Sequence, residues 1–360
     1  MSTETPEVRT GQGSTKLSRT EFEQRYRAQF VDPAFDAAKS EIERLTAIAW
    51  EAYEDGRKNA HTRKAGPEFA DPAHELSVEW LATRAAIQEA QRRFEDLGCR
   101  SRILLISASP RTDETCPSEM AKTFRVTTAV RECIEKEGGF DVDLLDLSRI
   151  NSEYGRQIHP CKACVSTAMP LCHWPCTCYP NHYMGQIHDW MSDLYPRWVA
   201  AHGVMIVTPV HWYQAPSVLK LMMDRLVCAD GGNPDPTSTH GKEAAEAKAI
   251  ELKGWAYPKH LAGRIFSVIV HGDTAGTGSV RRNLHDWLTD MKLVSAGPAA
   301  VFDRYIGYYE SYAMSHQAMD RDTAFLAETK NAALTLMAAV TEMRKGRQPP
   351  GNDFQSPRPK

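Results

Sequence analysis

Three short stretches of this 360-residue sequence gather side chains that could do chemistry, and a fourth crowds its cysteines. The first is Ser107-Ala108-Ser109-Pro110-Arg111, with Thr112, Thr115 and Ser118 close behind. Hydroxyls, one Arg and the exposed N–H groups of a helix N-terminus suit a phosphate. No Gly-Lys-Ser/Thr closes the stretch, so it is not a P-loop, and without G-x-G-x-x-G it carries no dinucleotide fingerprint. A single mononucleotide phosphate fits better, and a plain helix-capping loop is the alternative. The second stretch is Pro209-Val210-His211-Trp212-Tyr213, followed by Gln214-Ala215-Pro216-Ser217. Aromatic residues here could flank a flat ring while loop N–H groups bond its edge, or simply cap the core. The third, His271-Gly272-Asp273-Thr274-Ala275-Gly276-Thr277-Gly278, has three glycines that let backbone approach a ligand closely. The fourth holds five of the nine cysteines, from Cys161 to Cys178, spaced C-x2-C-x7-C-x3-C-x-C.

The elements that must position these stretches follow from periodicity. Arg102–Ser107, Phe140–Leu147, His202–Pro209, Arg264–His271 and a weaker Leu293–Phe302 read as strands. Helical patterns alternate with them: Ser118–Gly138, one containing Asp189–Ala201, Gln214–Cys228, Ser279–Met291 and Asp320–Arg344. Such alternation predicts an α/β fold, a five-stranded doubly wound parallel sheet covered on both faces. Ligands of such sheets bind beyond the carboxyl ends of the strands, and the first three stretches lie there. Residues 18–98 read as a helical extension. Asp32-Pro33 and Asp71-Pro72 each place an N-cap before Pro at N1. One apolar stripe runs through Phe35, Ala38, Ile42, Leu45, Ile48 and Ala52, another through Leu76, Trp80, Ile87, Ala90 and Phe94. Residues 99–345 form the main domain, and polar or Pro-rich residues 1–17 and 346–360 read as disordered tails. The long polar stretch Asp230–His260 reads as a lid or an oligomer contact.

Over roughly residues 101–340 the pattern resembles the flavodoxin-like NAD(P)H-dependent FMN reductases. Ser109-Pro110-Arg111 with Ser118, Pro209–Tyr213 with Lys220 and Asp224-Arg225, and His271–Gly278 carry the resemblance. It implies FMN as cofactor and NAD(P)H as electron donor. Ser109, Arg111 and Ser118 would hold the phosphate; Pro209, Val210, His211, Trp212, Tyr213, His271, Gly272, Asp273 and Gly276 would surround the ring. Flavin N5 would carry the chemistry in a ping-pong cycle ending on a quinone, flavin or nitroaromatic acceptor. His211 is the one candidate proton donor, and no other catalytic side chain is expected. The alternatives are a flavodoxin-like or iron–sulfur electron carrier, and a binding module that kept the fold. Some relatives, the iron–sulfur flavoproteins, carry a compact cysteine motif after the second strand. Cys161, Cys164, Cys172 and Cys176 could hold a [4Fe–4S] cluster, or zinc with help from His159, His173 or His182. The favoured reading is no metal, with thiols or a disulfide that shape the loop and could be redox-active.

Composition sets the remaining expectations. Apolar residues make up 42% and charged residues 25%, as in ordinary soluble domains. A formal net charge of −3 gives no electrostatic reason to expect nucleic acid or an anionic membrane as partner. No eighteen-residue apolar run or signal-peptide core is present, so the expected compartment is the cytoplasm, where a disulfide scaffold is not expected. Family habit adds a homodimer or homotetramer.

Overall fold

The computed structural model describes residues 5–272, 275–307 and 310–347. The chain starts with α1 (Arg19–Arg27) and α2 (Lys39–Glu54), then a small antiparallel pair, β1 (Thr62–Lys64) and β2 (Glu75–Ser77), and α3 (Val78–Glu95). The main domain follows as β3 (Ser101–Ser107), α4 (Lys122–Glu137), β4 (Phe140–Asp146), α5 (Arg149–Ser152), α6 (Met191–Ala200), β5 (Gly203–Pro209), α7 (Ser217–Arg225) and α8 (Ala244–Gly254). It closes with β6 (Ile265–Gly272), α9 (Thr277–Asp290), β7 (Val294–Ser295), β8 (Val301–Tyr305), α10 (Ser315–Arg321) and α11 (Thr323–Arg344).

The large sheet is parallel, in the order β4-β3-β5-β6, with β7 and β8 both on the outer edge of β6. The expected five strands are therefore six in five places. β7 pairs with Ile265–Phe266 and β8 with Val268–Gly272, where a single Leu293–Phe302 strand was expected. The break falls at Gly297-Pro298, where φ is +122° at Gly297 and Pro298 has no N–H to give a ladder.

Side chains alternate across the sheet with period two. Leu104, Ile106, Val204, Ile206, Phe266 and Val268 face α3, α6, α7 and α9. Ile103, Leu105, Met205, Val207, Ile265 and Ile269 face α4 and α11. All twelve are fully buried, which explains the unbroken apolar runs of the sequence.

Residues 18–98 are mostly helical but differ from expectation at Asp71-Pro72. The Asp71 carboxylate accepts from the N–H of Ala73 at 3.0 Å and makes a turn, and β2 follows. The helix waits for Ser77, whose hydroxyl caps Trp80 N–H. α3 belongs to the main core: Ile87 and Ala90 pack with α6, and the Arg264 guanidinium lies 3.8 Å above the Phe94 ring. Of the expected stripe only Ile42 is buried, while Phe35, Leu45 and Ile48 are exposed; the buried face of α2 instead includes Trp50 and Tyr53. Within the first seventeen residues, the Glu7 carbonyl accepts from Lys248, and Leu17 N–H donates to the Tyr53 hydroxyl. The tail at 346–360 lies outside the described residues apart from its first two positions. Asp230–His260 is docked rather than loose: Asp235 and Thr237 accept from the N–H groups of Ala70 and Asp71. Glu251 of α8 accepts from Met169 N–H. Among the described residues, no helix is long and apolar enough to cross a membrane.

One buried ion pair ties the segment after β4 to the sheet. Arg225, at the end of α7, makes a forked contact with Asp189 at 2.9 and 2.6 Å, donates to the His159 carbonyl at 3.0 Å and lies over the Tyr179 ring at 4.6 Å. Both side chains are within 3% of complete burial. Removing one partner strands the other charge in the interior. Asp189→Ala is expected to lower unfolding free energy by about 3–5 kcal/mol in urea titrations; a loss under about 1 kcal/mol would show the pair is not structural.

Candidate functional site

A cavity of about 340 Å³ opens at the carboxyl ends of β3, β5 and β6. Ser109, Arg111, Pro209, Val210, His211, His271 and Gly272 line it, so seven of the residues expected from sequence converge there. Ser118, Trp212, Tyr213 and Gly276 are not among the lining residues, and Asp273 lies outside the described residues.

The loop after β3 explains the departure at Ser118. The helix expected from Ser118 starts only at Lys122. Ser118 has φ +61°, a left-handed conformation that cannot open a helix, and its side chain is exposed. Its place at the cavity is taken by Lys122 and Thr123, the first two residues of α4. The N-cap Ala121 offers no side-chain acceptor to the first turn of α4, whose N-terminus faces the cavity through Lys122 and Thr123. Ser109 is buried, and its hydroxyl accepts from Arg111 N–H at 3.4 Å. The Arg111 guanidinium is held loosely, donating to Glu119 at 3.3 Å and to the Met120 carbonyl at 3.4 Å. These donors form a set suited to an anion of charge −2. Tyr312 and Ser315, from the segment after β8, complete the wall and had no sequence signal.

His271 ends β6 at the cavity floor. Its Nε2 lies 2.9 Å from the Thr123 hydroxyl, while Nδ1 is buried without a partner. Burial, with Lys122 and His211 adding to it, pushes its pKa down to about 3, so the ring is neutral near pH 7. In a neutral ring one nitrogen donates and the other accepts, so the Thr123 bond on Nε2 sets the role left to Nδ1.

The loop after β5 is a tight two-residue turn. His211 and Gln214 exchange backbone hydrogen bonds, both 2.9 Å, across Trp212 and Tyr213. Those two have φ +46° and +65°, a conformation that favours Asn or Gly and costs roughly 1–3 kcal/mol for other residues. Trp212 is 92% exposed and Tyr213 59%. Two aromatics held out of the core in strained backbone are poor capping residues. Gly276 supports this turn. A Cβ there would meet Tyr213 Cα at 2.9 Å, and its φ is +113°. Thr277 and Arg281 then anchor α9 to Asp303 of β8.

The sequence profile of the family described as NADPH-dependent FMN reductase matches residues 101–305. This chain belongs to that family. An iron–sulfur flavoprotein from Methanosarcina thermophila is 29% identical over 122 residues, 34% of this chain. The chain spans about half the length of that relative. Among solved structures, RosB with a bound 8-demethyl-8-formylriboflavin-5'-phosphate intermediate covers 72% of this chain and 91% of its own, at 13% identity and TM-score 0.46. The azoreductase AzrA covers 65% and 99%, at 11% identity and TM-score 0.39.

FMN is the cofactor of this FMN reductase family member. Ser109, Arg111, Lys122 and Thr123 line the cavity together with His211 and His271, and their polar and basic groups suit the phosphate of that cofactor. The cysteine segment lies elsewhere, since none of its residues lines the cavity. Cys164 Sγ is 3.4 Å from Cys178 Sγ, a cysteine outside the four expected as ligands. Cys172, Cys176, Cys161 and Cys228 are near enough to influence one another's charge. Of the histidines, His173 has both ring nitrogens engaged, with Thr177 at 2.6 Å and Thr239 at 2.9 Å. His159 bonds the His188 carbonyl, and His182 faces Glu79 at 3.9 Å. Among the described residues, no group of three or more His, Cys, Asp or Glu is arranged to hold a metal ion.

Gly276→Ala is expected to weaken FMN binding at least about tenfold, measured by quenching of flavin fluorescence, because the turn must shift to admit the methyl group. Wild-type affinity would show that the turn takes no part. A pH effect follows from His271 and from His202, which burial pushes down to about 4. Below about pH 6.5 the unfolded chain takes protons on these rings that the folded chain refuses until about pH 4 or lower. Stability therefore falls as pH drops from 6.5 to 4, and urea midpoints at pH 7 and pH 5 check the sign. An unchanged midpoint would contradict it.

Proposed function

We propose that this protein is an FMN-dependent oxidoreductase that draws electrons from NAD(P)H and delivers them, in a ping-pong cycle at one site, to a small-molecule acceptor such as a quinone, flavin or nitroaromatic. The observation that carries the reading is the anion-donor set of Ser109, Arg111 and the α4 N-terminus, in a cavity at the sheet's carboxyl edge. When bound, FMN accepts a hydride from reduced nicotinamide and gives two electrons to an acceptor. Ser109, Arg111, Lys122 and Thr123 would bind its phosphate, with charge-assisted bonds from Arg111 the strongest. Backbone of Val210–Tyr213 and of Gly272 and Gly276 would meet the ring edge, and His271 Nδ1 would supply a fixed polar contact. Trp212 and Tyr213 would border the ring face and keep the cleft open to two substrates in turn. His211 lines the cavity and would hand a proton to the acceptor as it is reduced.

The same reading includes a homodimer or homotetramer in solution. The exposed Phe35, Leu45 and Ile48 of the extension support it, and light scattering of the full chain tests it.

The deciding experiment is the visible spectrum of anaerobic protein reconstituted with FMN. NADPH or NADH is expected to bleach the flavin bands, and initial rates are expected to give parallel double-reciprocal lines. Bleaching by dithionite alone would refute the nicotinamide step, and failure to bind FMN would refute the whole reading. Arg111→Ala is expected to weaken FMN binding by about 10–100-fold, the loss of one charge-assisted bond.

A further inference from the structure

The segment between β4 and α6 collects sulfur around two half-buried lysines, Lys58 and Lys242. Lys242 Nζ lies 3.6 Å from Cys164 Sγ and donates to the Leu171 carbonyl at 2.7 Å. Lys58 donates to the Thr177 carbonyl. Burial pushes the Lys58 ammonium down, while the nearby sulfurs of Cys178, Cys164, Cys176 and Cys172 favour charge on Lys242.

Geometry separates the cysteines into roles. Cys164 is partly exposed, between exposed Ala163 and half-buried Val165. Ala163 has φ +51°, which turns the chain sharply ahead of the thiol. Cys178 is buried and lies 3.4 Å from Cys164, sulfur to sulfur, across fourteen positions of chain. One thiol can thus be reached from solvent, and the second waits directly behind it. The Lys242 ammonium, 3.6 Å from the Cys164 sulfur, stands beside this thiol.

We propose that Cys164 and Cys178 are a redox-active dithiol that exchanges with small-molecule disulfides, Cys164 attacking and Cys178 resolving. The Cys164 thiolate attacks one sulfur of R–S–S–R; the Cys164–S–S–R bond forms, and RS⁻ leaves and takes a proton. Cys178 gives up its proton and attacks the Cys164 sulfur, and the second R–S⁻ leaves with that proton. The sum is two protein thiols plus one disulfide giving one protein disulfide plus two R–SH, a two-electron oxidation of the protein. Lys242 holds the negative charge in place at Cys164 before attack. The site needs no flavin.

The test uses the full-length protein equilibrated with glutathione buffers of increasing oxidised fraction, acid-quenched, alkylated and mapped by mass without reductant. The expected result is a Cys164–Cys178 cross-linked peptide pair that grows with oxidised glutathione and vanishes in dithiothreitol. Cys178→Ser is expected to stop at a Cys164–glutathione mixed disulfide. Lys242→Met is expected to slow iodoacetamide alkylation of Cys164, because a neighbouring cation favours the thiolate. Both thiols alkylated throughout, Cys164 bridged to another cysteine, or thiols shielded by co-purified iron or zinc would each overturn the proposal. The wild-type map requires no variant, so misfolding of a mutant cannot mask the answer.

Discussion

The architecture around the site depends on burying one guanidinium. Arg225 ends α7, the helix that follows the aromatic turn, and it reaches Asp189, the His159 carbonyl and the Tyr179 ring. Those three contacts come from the long irregular segment between β4 and α6, which has little regular structure of its own. A charge so deeply buried tolerates one arrangement of its partners and penalises others. The pair thus fixes both the start of α6 and the sulfur-rich loop, while α7 in turn sets where the chain leaves β5. In sequence, Asp224-Arg225 forms part of a motif shared with flavin-binding relatives; in the fold, Arg225 lies outside the cavity and acts on the scaffold.

The cavity arises from topology. Chain order reverses between β3 and β5, so the loops after those strands part and leave a crevice. Three strained or cramped features then shape it: the left-handed Ser118, the aromatic turn at Trp212-Tyr213, and Gly276 pressed against that turn. Each departs from local preference, which is where function is most often stored. A neutral, buried His271 sits among the lining residues with its Nδ1 lacking a partner.

Much of this was legible in the residues. Central strands announced themselves as apolar runs because both faces are covered, and their carboxyl ends with the loops after them held the seven lining residues expected from sequence. What stayed hidden came from contacts distant in sequence. Tyr312 and Ser315 reach the cavity only because β8 lies beside β6, and no local pattern encodes that. Lys122 and Thr123 were missed because the longer loop after β3 delays the helix by four residues, moving its N-terminus past Ser118. Asp71-Pro72 carries the same signature as Asp32-Pro33, yet it makes a turn into a hairpin because its backbone is claimed by Asp235 and Thr237. Spacing alone grouped Cys161, Cys164, Cys172 and Cys176; folding places Cys178 against Cys164.

In the proposed function FMN would sit where β3, β5 and β6 end, with its phosphate at the start of α4. Hydrogen exchange of the full chain with and without FMN measures this directly. Protection is expected in the loop and helix start spanning residues 107–124, in the turn at 209–214 and around Gly272 and Gly276. The cysteine segment at 159–181 is expected to exchange unchanged. Protection centred on that segment, or none at the three loops under saturating FMN, would contradict the account.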